Sequence, residues 1–242
     1  MNVIFAGSPA SSAKILRKMH FDGIDIKLVI SQPDKRSKRG SKQDLSDVSR
    51  TAEELGLKIV KPLDLNNEEF KKQILSLKVD FLIVSAYGKI IPNEILSLTK
   101  KGFINIHGSI LPNWRGAAPI QRSIMNLDSE VGMSIMKIVE KLDSGPVSKI
   151  YKIKLNQTDN AQDITEKLSL LAAEKILDNV DEILEDKEKF INQDESKVSY
   201  ADKIDKAEGK INWNDKPLKI IGKINGLYPS PGAFFSFNGE RY

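Results

Sequence analysis

An asparagine and a histidine two residues apart, Asn105 and His107, have side chains that could do chemistry. They lie in a run whose other residues, Phe103, Ile104 and Ile106, are apolar, and which is too short for a helix and typical of a strand. Side chains alternate along a strand, so positions 105 and 107 share one face, about 6.6 Å apart. A carboxamide can donate to an oxyanion, and an imidazole exchanges protons near neutral pH. The structural alternative is a satisfied core histidine beside a turn asparagine.

The residues around this pair resemble a family signature. The stretches NIHGSILP at 105–112 and WRGAAPIQ at 114–121 are similar to the signature of the folate-dependent formyltransferases. The resemblance runs along the chain in the family's order, through FAGSP (5–9), QPD (32–34), AYGKI (86–90), LDSG (142–145), YADK (200–203) and INW (211–213). Within that superfamily it is greatest to the enzymes that formylate methionyl initiator transfer RNA.

The resemblance implies a reaction and a set of site residues. The reaction is transfer of a formyl group from N10-formyltetrahydrofolate to the α-amino group of methionine on initiator transfer RNA, with no metal. Asn105 and His107 carry over as catalytic residues. The family also places its catalytic aspartate in the Leu-Asp-Ser-Gly turn, which carries over to Asp143. The folate contacts implied are Tyr87, Gly88, Ile90, Ser109, Ile110, Leu111 and Pro112.

The turn that holds Asp143 also has a purely local interpretation. An aspartate followed by Ser-Gly most often hydrogen-bonds its own turn. Lys141 stands where the family usually has glycine, which leaves the path of this loop open but does not remove the carboxylate. Similarly, Ser109 to Pro112 has a structural interpretation as a simple turn.

Basic residues crowd one short stretch, at Lys35, Arg36, Lys38, Arg39 and Lys42. The stretch has no apolar periodicity and is predicted to be an exposed loop, either simply solvated or suited to binding phosphates. The resemblance favours contact with the acceptor arm of transfer RNA through Arg36, Lys38, Arg39 and Lys42, with Arg39 the strongest candidate.

Composition is that of a soluble globular protein. The chain has 242 residues, a net charge of +4 and no cysteine. Disulfides and thiolate metal sites are therefore excluded, and the N-terminus lacks the features of a signal peptide. These observations predict a cytoplasmic protein, and we also expect a monomer.

Strands and helices alternate through most of the chain, which predicts an α/β fold with a Rossmann-like, doubly wound, mostly parallel sheet. The first glycine turn lacks the second and third glycines of a dinucleotide fingerprint, so no pyrophosphate site is implied. We expect a catalytic domain over 1–189 and a linker over 190–205. The resemblance implies that 206–242 begins a small β-barrel domain that binds transfer RNA, and that this domain is incomplete.

Three other functions are consistent with the same residues. A sugar-nucleotide N-formyltransferase would use the same Asn, His and Asp on a different amine. A formyl-folate hydrolase would leave the basic stretch without a partner. A non-catalytic chain would bind folate or RNA without turnover.

Overall fold

The computed structural model describes residues 2–36 and 43–242. Its strands are β1 Asn2–Gly7, β2 Asp25–Ile30, β3 Lys35–Arg36, β4 Gln43–Asp44, β5 Ile59–Val60, β6 Phe81–Ser85, β7 Phe103–His107, β8 Arg115–Gly116, β9 Glu130–Lys137, β10 Val147–Lys154, β11 Tyr200–Ala201, β12 Ser236–Phe237 and β13 Glu240–Arg241. Its α-helices are α1 Ala10–Phe21, α2 Asp47–Glu54, α3 Glu68–Leu77, α4 Asn93–Leu96, α5 Pro119–Met125, α6 Ala161–Leu184 and α7 Pro217–Leu227. Two 3₁₀ turns cover Glu195–Lys197 and Lys206–Gly209.

Seven strands form one sheet in the order β10-β9-β7-β6-β1-β2-β5. The five strands from β5 to β7 pair in parallel with their neighbours. The start of β7 meets the end of β9, where the Ile138 N–H donates to the Phe103 carbonyl, so β9 runs in the opposite direction. The Rossmann-like, mostly parallel sheet predicted from the alternating elements is confirmed.

The core explains why the central strands form where they do. Every residue of β6 is buried, as expected of a continuous apolar run covered on both faces. Phe70 and Ile74 of α3 pack on one face of the sheet with Leu82 and Phe103. Phe70 and Ile74 are four residues apart and therefore lie on one face of that helix.

One local prediction differs from the structure. The basic stretch 35–42, expected to be an exposed loop, begins with the short strand β3, which pairs antiparallel with β4 just after the stretch. Further along the chain, β9 ends at Lys137, where the chain turns back and the Lys137 N–H bonds to the Pro146 carbonyl.

The chain divides into two compact units. The first comprises Met1–His107, Ile135–Lys149 and Ser169–Asn192, and the second comprises Gly108–Ser134, Ile150–Leu168 and Gln193–Tyr242. The domain division predicted from the sequence, with boundaries near 189 and 206, stays a prediction. Within the described ranges, no helix combines the length and the apolar content that spanning a membrane requires.

Candidate active site

β7 places the two polar residues at the end of the parallel sheet. Val84 of β6 is the register partner of Asn105, two residues before β7 ends at His107. His107 is buried, at 6% exposure, and Asn105 is half-buried. The carboxyl ends of parallel strands are where open α/β sheets bind ligands, so both side chains stand at the expected position.

The turn after β9 brings a carboxylate to the same place. Asp143 lies in the left-handed region, with φ of 44°, in a turn closed by the Ser144 hydroxyl, which donates to the Lys141 carbonyl over 2.9 Å. The strained residue of this turn is Asp143 and not Lys141, so the lysine that replaces the family's usual glycine needs no unusual backbone. A non-glycine residue held at positive φ is a feature that clusters at functional sites.

A close backbone approach fixes the path of this turn. A Cβ on Gly145 would lie 1.9 Å from the carbonyl oxygen of Lys137, so only glycine fits there. The Lys137 N–H donates to the Pro146 carbonyl over 3.0 Å on the same side. The turn is therefore tied to β9 immediately beyond the aspartate.

The imidazole and the carboxylate face each other. Nδ1 of His107 lies 3.6 Å from Oδ2 of Asp143, and the side chains are 7% and 15% exposed. This distance is longer than a good hydrogen bond, as catalytic pairs often are before substrate binds. Asn105, His107 and Asp143 are thus brought together in one unit of the chain.

The segment 86–92 follows β6 and turns through two left-handed residues. Ala86 and Gly88 have φ of 45° and 81°. The Tyr87 carbonyl accepts from Gln32 Nε2 (2.9 Å) and from the Ser8 hydroxyl (3.3 Å). Lys89 Nζ donates to the carbonyls of residues 62 and 63. These bonds hold the segment to neighbouring loops of the same unit.

Of the predicted folate contacts in this segment, only some face solvent. Ile90 is 86% exposed, whereas Tyr87 is 3% exposed. Burial raises the pKa of the Tyr87 phenol to about 12. Its hydroxyl has no hydrogen-bond partner among the described residues. The Tyr87 side chain therefore belongs to the core, and Ile90 and the backbone of the segment remain as the groups able to touch a ligand.

The turn Ser109–Pro112 is braced by a residue that the sequence did not indicate. The hydroxyl of Ser134, fully buried on β9, donates to the Ser109 carbonyl (2.7 Å) and accepts from the Leu111 N–H (3.1 Å). The Ser109 hydroxyl donates to the Asn113 carbonyl. Ser109 and Leu111 are buried, while Ile110 and Pro112 are half-buried, so the latter two carry the accessible surface of the turn.

The predicted contacts with transfer RNA fall largely outside the described residues. Arg36 lies on β3, which pairs with β4. Lys38, Arg39 and Lys42 lie outside the described ranges. Across those ranges, no three His, Cys, Asp or Glu side chains are grouped as a metal site would require.

The chain matches two family models. The formyl transferase model matches residues 1–180, and the formyl transferase C-terminal domain model matches residues 203–242. The grouping of Asn105, His107 and Asp143 described above lies within the first match. The formyl donor of this family is a formyl-folate.

Several curated proteins are similar over almost the whole chain. The methionyl-tRNA formyltransferase of Pelagibacter ubique is 54% identical over 99% of this chain and 78% of its own length. The methionyl-tRNA formyltransferase of Dictyoglomus thermophilum is 44% identical, over 99% of this chain and 77% of its own length.

Solved structures share the fold at low identity. A 4-N formyltransferase from Francisella tularensis superimposes with a TM-score of 0.77 at 17% identity, covering 99% of this chain and 94% of that one. An N-formyltransferase from Helicobacter canadensis, solved with folinic acid and dTDP-3-aminofucose, superimposes with a TM-score of 0.76 at 19% identity. The superposition covers 98% of this chain and 84% of that one. These structural similarities establish the fold. The higher sequence identities show the family: the chain belongs to the methionyl-tRNA formyltransferases of the formyl transferase family.

Proposed function

We propose that this chain transfers the formyl group of N10-formyltetrahydrofolate to the α-amino group of methionine esterified to initiator transfer RNA. The observation that carries this proposal is the grouping of Asn105, His107 and Asp143 at the carboxyl end of the parallel strands, with the 3.6 Å His107–Asp143 contact. The donor is consumed in each turnover, so it is a second substrate and not a resident cofactor.

The acceptor amine must lose a proton. An α-amino group has an ordinary pKa of about 7.7–8.0, so much of it is protonated at neutral pH and cannot attack. Asp143 supplies a carboxylate that accepts the amine proton, directly or through a water molecule. Its side chain is 15% exposed, which keeps it open to substrate without leaving it fully solvated.

Charge develops on the formyl oxygen as the new nitrogen–carbon bond forms. The amide N–H of Asn105 is the side-chain donor that we assign to this oxyanion. Because Asn105 is half-buried at the end of β7, its carboxamide is held by the strand yet remains accessible.

The bond between the formyl carbon and N10 then breaks, and N10 must take a proton. We assign this proton to His107, whose Nδ1 faces Asp143 and whose Nε2 is therefore the nitrogen that exchanges with substrate. The proton lost by the amine and the proton gained by N10 balance, so no covalent enzyme intermediate is required.

Donor and acceptor are assigned to different parts of the chain. The donor contacts are Ile90 and the backbone of Tyr87 and Gly88, together with the turn Ser109–Pro112. Arg36, Lys38, Arg39 and Lys42 contact the phosphates of the acceptor arm, which predicts a KM for transfer RNA that rises with salt. We place the enzyme in the cytoplasm, and we expect a monomer.

The acceptor distinguishes this function from that of the sugar-modifying relatives. Those relatives share the fold at 15–20% identity, whereas the methionyl-tRNA formyltransferases reach 54%. The test offers formyl donor with methionyl initiator transfer RNA, with the same RNA uncharged, and with an amino-sugar nucleotide. Formylation of the methionyl amine alone is expected. Formylation of the amino sugar in place of the methionyl amine would overturn the proposal.

A further inference from the structure

The turn 138–146, which carries Asp143, is exposed along its middle. Val139 and Leu142 are 38% and 57% exposed, so these apolar side chains bury little surface. Asp143 nevertheless adopts a left-handed conformation, with φ of 44°. Such a conformation persists only where the surrounding structure restrains it. The restraint on the carboxylate therefore comes largely from the two ends of the turn.

The first end of the turn is tied to β7. The Ile138 N–H donates to the Phe103 carbonyl over 2.9 Å, and the Ile138 side chain packs against the core cluster that contains Phe103. At the preceding residue, the Lys137 N–H donates to the Pro146 carbonyl over 3.0 Å. The Lys137 carbonyl is the group that a Cβ on Gly145 would meet at 1.9 Å. The two ends of the turn therefore meet at Lys137.

The second end is held by the segment 188–191, which follows α6. Val147, the first residue of β10, exchanges two backbone hydrogen bonds with Ile191, over 2.8 and 2.9 Å. Lys149 Nζ lies 3.4 Å from a carboxylate oxygen of Glu188. β10 is an edge strand of the seven-stranded sheet, so its outer side can pair with this segment.

One side-chain contact joins this segment directly to the base of the turn. Lys137 Nζ lies 4.5 Å from the centroid of the Phe190 ring, which is a cation–π distance. Both residues are half-buried, and partial removal from water strengthens such a contact. Because the backbone of Lys137 also contacts Gly145 and Pro146, the ring acts on the residue at which the two ends of the turn meet.

We propose that Lys137 and Phe190 are positioning residues whose contact keeps the Asp143 carboxylate beside Nδ1 of His107. The inference rests on the proposed function, in which Asp143 accepts the amine proton. All four residues belong to the first unit. Neither Lys137 nor Phe190 takes part in the reaction. Loss of their contact loosens the base of the turn, and the carboxylate then spends less time at the imidazole.

Steady-state kinetics test this role. Phe190→Leu is expected to lower kcat by about 2- to 30-fold, the range of cation–π energies expressed as a ratio, with the KM for both substrates unchanged. Phe190→Tyr retains an aromatic ring and should keep the wild-type kcat. Phe21→Leu, at an aromatic residue that is 73% exposed at the end of α1, is the matched control. An unchanged kcat in Phe190→Leu, or a raised KM alone, would contradict the proposal.

The partner of the ring is tested in the same way. Lys137→Met should lower kcat as Phe190→Leu does, and the double variant should be no worse than either single variant, because both remove one contact. Lys72→Met, at an exposed lysine on α3, is the control for the loss of charge. Additive losses in the double variant would show that the two side chains act separately and would overturn the proposal.

A background without the Asp143 carboxylate separates positioning from general support of the fold. In Asp143→Asn, the further change Phe190→Leu should leave kcat where it is, since no carboxylate remains to be displaced. The same fold-loss in both backgrounds would mean that Phe190 does not act through Asp143, and would overturn the proposal.

Hydrogen–deuterium exchange tests the contact without any substrate. In Phe190→Leu, the backbone amides of 138–146 should exchange about 2- to 30-fold faster than in wild type, and those of α1 should not change. Unchanged exchange in the turn would overturn the positioning role even in a chain that formylates methionyl-tRNA. Faster exchange confined to the turn, in a chain that transfers no formyl group, would retain the contact and reject the proposed function.

Discussion

His107 Nδ1 and Asp143 Oδ2 lie 3.6 Å apart, although one ends a central strand and the other lies in a turn beyond the antiparallel strand β9. The separation is an ion-pair distance and is too long for a well-formed hydrogen bond. We therefore expect the contact to shorten when substrates exclude water from the pair, and its loss to affect turnover more than binding.

Removing the charge of Asp143 tests this contact. Asp143→Asn keeps the size of the side chain but cannot accept the amine proton, so kcat should fall by about 10²-fold or more. The KM for both substrates should change only a few-fold. Asp178→Asn, at an exposed position on α6, is the matched control for steady-state kinetics. A kcat within a few-fold of wild type would remove Asp143 from proton transfer.

The glycine beside the aspartate should be indispensable. Gly145→Ala places a Cβ 1.9 Å from the Lys137 carbonyl, so the turn that carries Asp143 must shift. We expect a loss of unfolding free energy of about 1–3 kcal/mol and a larger loss of kcat than of affinity.

The control for this variant is Gly23→Ala. Gly23 also has a positive φ (82°), but no atom lies within 4 Å of its added Cβ. The Gly23→Ala variant should have a lower melting temperature than wild type and an unchanged kcat. Equal kcat losses in the two variants would show that displacement of the turn is not the cause.

Ser134 should act on the folate turn without contacting folate. Ser134→Ala leaves the Ser109 carbonyl and the Leu111 N–H without their buried partner, at a cost of about 1–3 kcal/mol. We expect a raised KM for the formyl donor, with the KM for methionyl-tRNA little changed. Ser148→Ala, which removes a 3.4 Å bond on β10, is the matched control. An unaltered donor KM would mean that the turn does not position the donor.

One ion pair of the second unit should show in the pH dependence of stability. Arg122 donates to both carboxylate oxygens of Glu208, at 2.6 and 3.0 Å, and these bonds lower the pKa of Glu208. A lowered pKa in the folded state means that the stabilisation is present above the ordinary glutamate pKa. It is lost as the pH falls through the lower, folded value.

Glu208→Gln is therefore expected to reduce the free energy of unfolding by about 1 kcal/mol at neutral pH. The difference from wild type should shrink below the ordinary glutamate pKa of about 4.3. Denaturant titrations across that range measure it, with the exposed Glu53→Gln as control. A difference that is the same at every pH would exclude the ion pair as its source.

How far the sequence could predict the site differs from residue to residue. The two-residue spacing of Asn105 and His107 within a short apolar run was enough to place both on one face of a strand, because strand periodicity is local. Asp143 could be assigned only through the family resemblance, since nothing in its neighbourhood distinguishes it from an ordinary turn aspartate. Its approach to His107 depends on the return of β9 along β7, which is a tertiary contact.

Other features could not be predicted from the pattern. Tyr87 and Ile90 lie in one motif, yet one side chain is buried and the other is 86% exposed, because the left-handed residues Ala86 and Gly88 redirect the chain. Ser134 interrupts the apolar run of β9 and gave no signal of its role. Its partners are backbone groups of Ser109 and Leu111, which are remote in sequence.

The most direct test of the whole account is formyl transfer from N10-formyltetrahydrofolate to methionyl initiator transfer RNA by the wild-type chain and by Asn105→Ala. Asn66→Ala, at an exposed asparagine, is the matched control. We expect transfer by wild type and control, and a kcat lower by about 10²-fold or more in a folded Asn105→Ala variant. Transfer at a near wild-type rate without the Asn105 carboxamide would contradict it.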